Sequence, residues 1–188
     1  MGTFRTSQPG WVADPSVPHL ILVGLPGSGK STVGTLVAGA LGRPFLDFDA
    51  EITRREGMTI PEIFGQRGEG HFRELEHALT VELSELGGMV LAPGGGWASR
   101  GDNVALLSPP GSVIYLRIST AVAVARMGAS TRSRPLLNHP DPKGELDRLL
   151  SARMLAYESA DAVVDVDDLK PQQVTEQIIA LLGDIRPP

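Results

Sequence analysis

The chain has 188 residues, a length that suits one domain with a buried core, and we expect that domain to span residues 19–186. The net charge of -5 and the 41% of hydrophobic residues argue against a nucleic-acid binder held by a basic surface and against a disordered chain. The chain has no cysteine, and its four histidines lack a ligand-like spacing, so disulfides and thiolate metal sites are excluded and any metal must be bound by oxygen.

The first part of the chain, residues 1–18, contains Pro, Gly and Ser without helical or strand periodicity and lacks the apolar core of a signal peptide. We expect a flexible extension here. No apolar run approaches the roughly 20 residues that a membrane helix requires. The sequence therefore favours a cytoplasmic monomer that works on small soluble ligands, without nucleic acid or a membrane.

Short apolar runs alternate with amphipathic stretches in the rest of the chain. The predicted strands are LILVG, PFLDFD, the start of MVLAPGGG, SVIYLRI and ADAVVDV, which begin at residues 20, 44, 89, 112 and 160. The predicted helices cover residues 31–41, a short segment opening at a Thr59–Glu62 capping box, a longer segment around residues 72–86, and then residues 104–107, 120–127, 143–159 and 171–182. Strands separated by helices predict an α/β fold, with a parallel sheet flanked by helices on both faces.

A phosphate-binding motif follows the first predicted strand. Residues 24–31, GLPGSGKS, match G-x-x-x-x-G-K-[ST] at every fixed position. Backbone N–H groups of such a loop attract phosphate, Lys30 neutralises the transferred end, and Ser31 offers a hydroxyl to magnesium. An ordinary glycine-rich turn is the alternative, but lysine occurs only at positions 30, 143 and 170, so its placement here by chance would be a rare coincidence. The residues expected to bind the nucleotide phosphates are Gly27, Ser28, Gly29, Lys30, Ser31 and Thr32.

Two carboxylates end the second predicted strand. Because alternate side chains of a strand share a face, Asp47 and Asp49 are expected to point the same way. If this strand neighbours the phosphate-loop strand, both carboxylates lie beside the terminal phosphate, where one holds the water shell of magnesium and the other accepts a hydroxyl proton. Alternatively the two residues end the strand and cap the next helix, a role that suits Asp49.

Arginines and glycines indicate how an acceptor would be held. Arg73 lies in GEGHFRELE, Arg126 and Arg134 flank a polar loop, and Arg153 lies in ARMLAY. Arginine suits planar recognition of a carboxylate and the charge that develops in phosphoryl transfer. The triplet Gly94–Gly96 removes side chains where a ligand could lie against the backbone, although a plain turn is the alternative.

These motifs together resemble the shikimate kinase family. GLPGSGKST, the D-x-D of Asp47 and Asp49, GMTIPEIF with GEGHFRELE, GGG, RPLL and R-x-x-x-Y occur in the family's order, from about Leu20 to the final helix. The resemblance implies a phosphate-loop kinase fold with a mobile lid at about residues 127–142 and a small substrate-binding helical segment. It also implies transfer of the γ-phosphoryl group of MgATP to the 3-hydroxyl of shikimate.

The resemblance implies roles for the acceptor-side residues. Asp49 would bind the shikimate hydroxyls and is the candidate base. Arg73, supported by Glu76, and Arg153 would grip the shikimate carboxylate, and the glycine triplet, Gly94, Gly95 and Gly96, would line that pocket.

It likewise implies roles on the nucleotide side. Ser31, and Asp47 through water, would hold magnesium. Arg134 would swing with the lid onto ATP and join Lys30 and Asp49 as catalytic residues, while Arg126 would stack near the adenine.

The sequence also departs from the family's pattern. Pro93 precedes the glycine triplet where a small or hydroxyl residue is commoner, Trp97 follows it, and residues 167–170 are DDLK where the family often has basic residues. Two alternatives therefore stay open: a related small-molecule kinase, such as one for gluconate, and a ligand sensor that has lost catalysis.

Overall fold

The structure of the protein, a computed structural model, describes residues 14–128 and 134–185. Its sheet has five strands, which are β1 (Leu20–Val23), β2 (Phe45–Asp47), β3 (Val90–Ala92), β4 (Ser112–Arg117) and β5 (Ala162–Asp165). The strand order is β2-β3-β1-β4-β5, and every neighbouring pair is parallel. The predicted fold class, a parallel sheet flanked by helices, is confirmed.

Seven α-helices connect and cover these strands in the described part of the chain. They are α1 (Lys30–Leu41), α2 (Phe48–Glu56), α3 (Ile60–Ser84), α4 (Gly101–Leu107), α5 (Thr120–Met127), α6 (Pro142–Glu158) and α7 (Pro171–Ile185). Their ends follow local chemistry: Gly42 ends α1 at φ 63°, and Ser119 accepts a hydrogen bond from the Val122 N–H at the start of α5. The capping box of Thr59 and Glu62 opens α3 as predicted.

The sheet has apolar side chains on both faces because helices cover both. All four residues of β1 and all three of β3 are buried. In register, Ile21 of β1 faces Leu91 of β3, while Asp47 of β2 faces Ala92. The carboxyl ends of β1, β3 and β2 therefore meet at one edge of the sheet, where ligands of open α/β sheets bind.

Two details of the strand predicted at residues 44–49 are wrong. β2 ends at Asp47, whose Oδ1 accepts a hydrogen bond from the Ala50 N–H, so the chain becomes helical at Phe48 and Asp49 lies in the first turn of α2. The cap of this helix is thus Asp47 and not Asp49. In addition, β3 lies between β1 and β2, so the strand that carries Asp47 is not a direct neighbour of the phosphate-loop strand.

Helix α3 changes direction at Gly68, which has non-helical angles of φ 81° and ψ 166°. A Cβ added there would meet nothing within 4 Å, so it is the left-handed φ that favours glycine at this position. The kink divides α3 into a short first segment and a long second one. This agrees with the two helices predicted from the sequence.

Residues 14–18 of the expected extension contact the amino-terminal edge of the sheet. The Val17 carbonyl accepts a hydrogen bond from the Gly88 N–H at 2.6 Å, and the Pro18 carbonyl accepts one from Arg43 at 3.2 Å. Residues 1–13 of that extension and residues 129–133 of the expected lid lie outside the described residues. No helix in the described part of the chain has the length and apolar character needed to cross a bilayer.

Candidate active site

Two adjoining cavities lie at the carboxyl edge of the sheet, one of about 640 Å³ and one of about 300 Å³. The larger, which we call the nucleotide cavity, is lined by the phosphate loop and extends towards the start of α7. The smaller, which we call the acceptor cavity, is lined by α3, α6 and the glycine triplet. The two share the wall residues Pro26, Asp49, Gly94, Gly95 and Arg134.

The phosphate loop joins β1 to α1 and is shaped by its glycines. Gly27 has φ 85°, and a Cβ there would lie 2.8 Å from the Ala123 carbonyl oxygen, so no larger residue fits. All six predicted phosphate-binding residues, Gly27, Ser28, Gly29, Lys30, Ser31 and Thr32, line the nucleotide cavity. The loop's N–H groups and the N-terminus of α1 together favour an anion at this position.

The ammonium of Lys30 lies within this loop. Its Nζ donates hydrogen bonds to the carbonyl oxygens of Gly24 and Leu25, at 2.9 and 3.1 Å. Burial, followed by the positive charge of Arg134, lowers the pKa of Lys30 to about 8. A phosphate group placed here would oppose both effects and favour the charged ammonium.

Ser31 and Asp47 form a pair of oxygen donors in the nucleotide cavity. The Ser31 hydroxyl donates a hydrogen bond to Asp47 Oδ2 at 2.5 Å. Hydroxyl and carboxylate oxygens suit Mg²⁺, which also takes ligands from phosphates and water. Within residues 14–128 and 134–185 there is no cluster of three or more Asp, Glu or His side chains able to hold a metal by itself. A hydroxyl and a carboxylate beside a phosphate loop fit an ion whose remaining ligands are phosphate and water.

Asp49 faces both cavities from the first turn of α2. Its Oδ1 is buried and has no hydrogen-bond partner among the described residues. Burial, reinforced by the negative charge of Asp47, raises the pKa of Asp49. A carboxylate with a raised pKa, adjacent to a phosphate site, is suited to accepting a proton from a hydroxyl group.

Arg73 is oriented by two glutamates of the same helix. Its guanidinium donates to Glu76 Oε2 at 2.6 Å and to Glu69 Oε1 at 2.7 Å. Glu76 is fully buried, and burial raises the pKa of its carboxyl although the charge of Arg73 opposes that change. The expected support of Arg73 by Glu76 is present in the geometry, and Arg73 lines the acceptor cavity.

Arg153 reaches the same cavity from α6. It is 6% exposed, and its Nη1 has no hydrogen-bond partner in the described part of the chain. A buried guanidinium nitrogen without a partner costs free energy, so it favours an anionic ligand at this point. Nearby, the Tyr157 hydroxyl donates to the Gly95 carbonyl at 2.5 Å.

The glycine triplet lets three charged side chains approach the backbone. A Cβ on Gly94 would lie 2.4 Å from Glu76 Oε1, one on Gly95 would lie 3.0 Å from Arg153 Nη1, and one on Gly96 would lie 2.6 Å from Arg73 Cζ. The sequence predicted open space for a ligand. The structure adds a second reason for these glycines, since protein side chains already occupy the space that a side chain there would need.

Sequence reasoning missed the apolar wall of the acceptor cavity. This wall is formed by Ile60, Pro61, Phe64, Phe72, Leu136 and Leu137. Phe72 opens the helix predicted around residues 72–86, and it is a buried core residue as well as part of this wall. For Phe72, Leu136 and Leu137 the signal that could have found them is their position within three residues of Arg73 or Arg134, whereas Ile60, Pro61 and Phe64 have no such neighbour.

The far end of the nucleotide cavity lies beside Arg126. Its guanidinium donates to the carbonyl oxygens of Val166 and Asp167, at 2.5 and 3.1 Å. Val166, Leu169, Lys170, Pro171 and Val174 line the cavity here. A planar guanidinium and a mainly apolar lining suit a flat aromatic base.

Comparisons with known proteins agree with these features. The shikimate kinase family model matches residues 26–183. A shikimate kinase of Pseudomonas savastanoi pv. phaseolicola is 46% identical over 170 residues, or 90% of this chain and 98% of that protein. A solved structure of a shikimate kinase from Acinetobacter baumannii, in complex with shikimate, has a TM-score of 0.85 at 36% identity and covers 90% of this chain and 95% of that one. A gluconokinase from Sinorhizobium meliloti, at 22% identity, a TM-score of 0.58 and coverage of 89% and 93%, shares the fold alone.

Proposed function

The chain belongs to the shikimate kinase family, and from this membership we propose that it transfers the γ-phosphoryl group of ATP to the 3-hydroxyl of shikimate, giving shikimate 3-phosphate and ADP. The observation that carries the proposal is the wall shared by the two cavities, where Asp49 and Arg134 face both. A phosphoryl donor in one cavity and a hydroxyl acceptor in the other would meet at that wall.

The acceptor cavity has the chemistry to hold a small cyclic acid with several hydroxyl groups. Arg153, with its unpaired Nη1, and Arg73 supply positive charge for a carboxylate. Phe64 and Leu137 supply apolar surface for the face of a ring. Gly94, Gly95 and Gly96 let the ligand lie against the backbone between these groups.

Asp49 would orient and deprotonate the acceptor. As the 3-hydroxyl oxygen bonds to the γ-phosphorus, its proton passes to the Asp49 carboxylate and the bond from the γ-phosphorus to the bridging oxygen of ADP breaks. Lys30 and Arg134 stabilise the charge on the transferred group and on the leaving phosphate. Arg134 belongs to the proposed lid, residues 127–142, whose closure would exclude water and so prevent hydrolysis of ATP.

Nucleotide binding would use the phosphate loop and the far end of its cavity. Gly27, Ser28 and Gly29 would hold the phosphates through the backbone, and Thr32 would reach the first phosphate. Arg126 would stack on the adenine, held in place by its bonds to Val166 and Asp167.

Magnesium would be held by the Ser31 hydroxyl and, through water, by Asp47. When bound, it would neutralise phosphate charge and polarise the γ-phosphoryl group. The 2.5 Å hydrogen bond between these two side chains already brings the donor oxygens together.

We also propose that residues 19–186 work as one domain, as a monomer and in the cytoplasm. The support for one domain is that the wall residues of both cavities lie on or between the elements of one five-stranded sheet and its helices. Gel filtration of the purified protein tests the monomer.

The proposed function is tested by measuring ADP release from MgATP with shikimate, with gluconate and with no acceptor. We expect turnover that depends on shikimate and is lost in Lys30→Ala. Turnover with gluconate instead would support the alternative kinase. Shikimate binding without ADP release would support a sensor, and either result would contradict the proposal.

A further inference from the structure

Trp97 follows the glycine triplet directly and is fully buried, although it belongs to the wall of neither cavity. It opens a 3₁₀ turn, Trp97–Ser99, and its N–H donates to the Gly94 carbonyl at 3.0 Å. A residue that closes a bond back to Gly94 fixes the shape of the triplet. Trp97 is one of the departures from the family's pattern that the proposed function does not explain.

The indole of Trp97 is bonded to α3. Its Nε1 donates to Thr80 Oγ1 at 2.8 Å, and that hydroxyl donates to the Glu76 carbonyl at 2.8 Å. Both partners are fully buried, so neither bond competes with bulk water. Since Glu76 orients Arg73, the indole is linked through one hydroxyl to the turn of α3 that carries one of the carboxylate-binding arginines.

The same ring also contacts the start of α2. It packs edge-on against Phe48, with ring centroids 6.3 Å apart and an angle of 75° between the planes. Phe48 is fully buried and stands between Asp47 and Asp49 in the sequence. The indole of Trp97 therefore contacts, through Phe48, the backbone segment that carries both carboxylates.

Trp97 is also held from its backbone side. Its carbonyl accepts a hydrogen bond from Asn103 Nδ2 at 3.3 Å, and Asn103 Oδ1 lies 2.8 Å from His77 Nδ1. Asn103 is buried on α4, and His77 lies on α3. Trp97 is therefore bonded to α4 through its carbonyl and to α3 through its indole, and these bonds fix the position of the ring.

We propose that Trp97 is a positioning residue for the acceptor site. It holds the glycine triplet, the turn of α3 with Arg73 and Glu76, and the start of α2 with Asp49 in one relative arrangement. This inference rests on the proposed function, because the effect is expected on shikimate and not on ATP: none of the phosphate-loop residues bonds to Trp97 or Thr80 among the described contacts.

The test compares steady-state kinetics of the full chain and three variants, Trp97→Phe, Thr80→Val and Thr80→Ser. Trp97→Phe keeps an aromatic ring but removes the donor, and Thr80→Val keeps the shape but removes the hydroxyl. In each we expect kcat/KM for shikimate to fall roughly three- to tenfold, the range for losing one buried hydrogen bond, while KM for ATP stays within about twofold of wild type. Thr80→Ser keeps the hydroxyl, so its kcat/KM for shikimate is expected to stay near the wild-type value.

The double variant, Trp97→Phe with Thr80→Val, shows whether the two residues affect kcat/KM for shikimate through the same hydrogen bond or independently. If the two residues act through one bond, its kcat/KM for shikimate will be no lower than that of the worse single variant. A product of the two single effects would overturn the inference.

Ile178→Ala is the control for a general loss of core packing. Ile178 is fully buried on α7 and does not line the acceptor cavity, so this variant is expected to lower Tm and to leave kcat/KM for shikimate at the wild-type value. If either Trp97→Phe or Thr80→Val leaves kcat/KM for shikimate at the wild-type value, even with a lowered Tm, the inference is overturned while the proposed function stands. Absence of shikimate turnover in the wild type would overturn both.

Discussion

A methyl group on Gly95 would lie 3.0 Å from Nη1 of Arg153, a buried guanidinium nitrogen that has no hydrogen-bond partner among the described residues. The same methyl group would lie 3.3 Å from Pro26 and 3.4 Å from the Gly24 carbonyl. The glycine thus sets how closely an arginine of α6 approaches the phosphate loop.

We expect Gly95→Ala to displace Arg153 and to raise KM for shikimate by about tenfold, since crowding of a packed site costs about 1–3 kcal/mol. Steady-state kinetics at saturating ATP measure this. Gly39→Ala is the matched control, because a Cβ at Gly39 on α1 meets nothing within 4 Å. An unchanged KM in Gly95→Ala would show that Arg153 does not bind the acceptor.

Asp49→Asn is expected to lower kcat by about 10²–10⁴-fold, the usual contribution of a general base. The amide keeps the shape of the side chain but cannot take the proton. Rapid-quench measurement of phosphoryl transfer checks this, with shikimate binding followed by calorimetry so that a loss of binding is not mistaken for a loss of chemistry. Near-normal kcat would leave Asp49 with a binding role alone.

The two oxygens of Asp47 allow its metal role to be separated from its structural role. Oδ2 accepts from Ser31, and Oδ1 caps α2 by accepting from the Ala50 N–H. Asp47→Asn can keep the cap, whereas Asp47→Ala loses it, at about 1 kcal/mol. We expect both variants to require more Mg²⁺ for half-maximal activity, and only Asp47→Ala to lower Tm, by about 2–4 °C. An unchanged Mg²⁺ requirement in both would contradict the proposed metal site.

The pH profile of kcat/KM for ATP reports the free enzyme. Burial and the charge of Arg134 lower the pKa of Lys30 to about 8, so the ammonium is charged below that pH and is lost as the pH rises through it. We therefore expect kcat/KM for ATP to fall above about pH 8. At the acid end, the raised pKa of Asp49 predicts that kcat falls as the carboxylate is protonated.

Lys30→Arg tests the assignment of the alkaline limb. Arginine stays charged throughout this range, so the variant is expected to be less active but to lose the fall above pH 8. Persistence of the fall would assign it to another group.

The local chemistry of the site was predictable because it depends on short segments. The phosphate loop is a contiguous motif, and the Thr59–Glu62 capping box is satisfied within one helical turn, so neither needs the rest of the fold. Arg73 and Glu76 are likewise three residues apart on one helix, at the spacing where side chains meet.

What could not be predicted depends on contacts between distant segments. Strand order decides that β3 lies between β1 and β2, and nothing in the PFLDFD segment encodes it. The alternation argument for Asp49 failed because one capping hydrogen bond, from Ala50 to Asp47, ended the strand two residues early. The bond from Trp97 to Thr80 joins residues that are 17 apart, and its meaning appears only once α3 and the glycine triplet are packed together.

The kink at Gly68 separates two parts of α3 that line the acceptor cavity with different kinds of side chain. The short segment before it carries Ile60, Pro61 and Phe64, which supply apolar surface, while the long segment after it carries Phe72, which is also apolar, and Arg73, which supplies charge. Gly68 thus separates an apolar segment of α3 from the segment that carries Arg73. The two segments are nevertheless in contact, because Phe64 packs against Phe72 with ring centroids 5.0 Å apart and the Arg73 guanidinium lies 5.3 Å from the centroid of the Phe72 ring. A substitution at Phe64 that admits a different ring shape would therefore also change the surface on which the carboxylate-binding arginine rests, so the shape of the acceptor and its charge are read by one connected set of side chains.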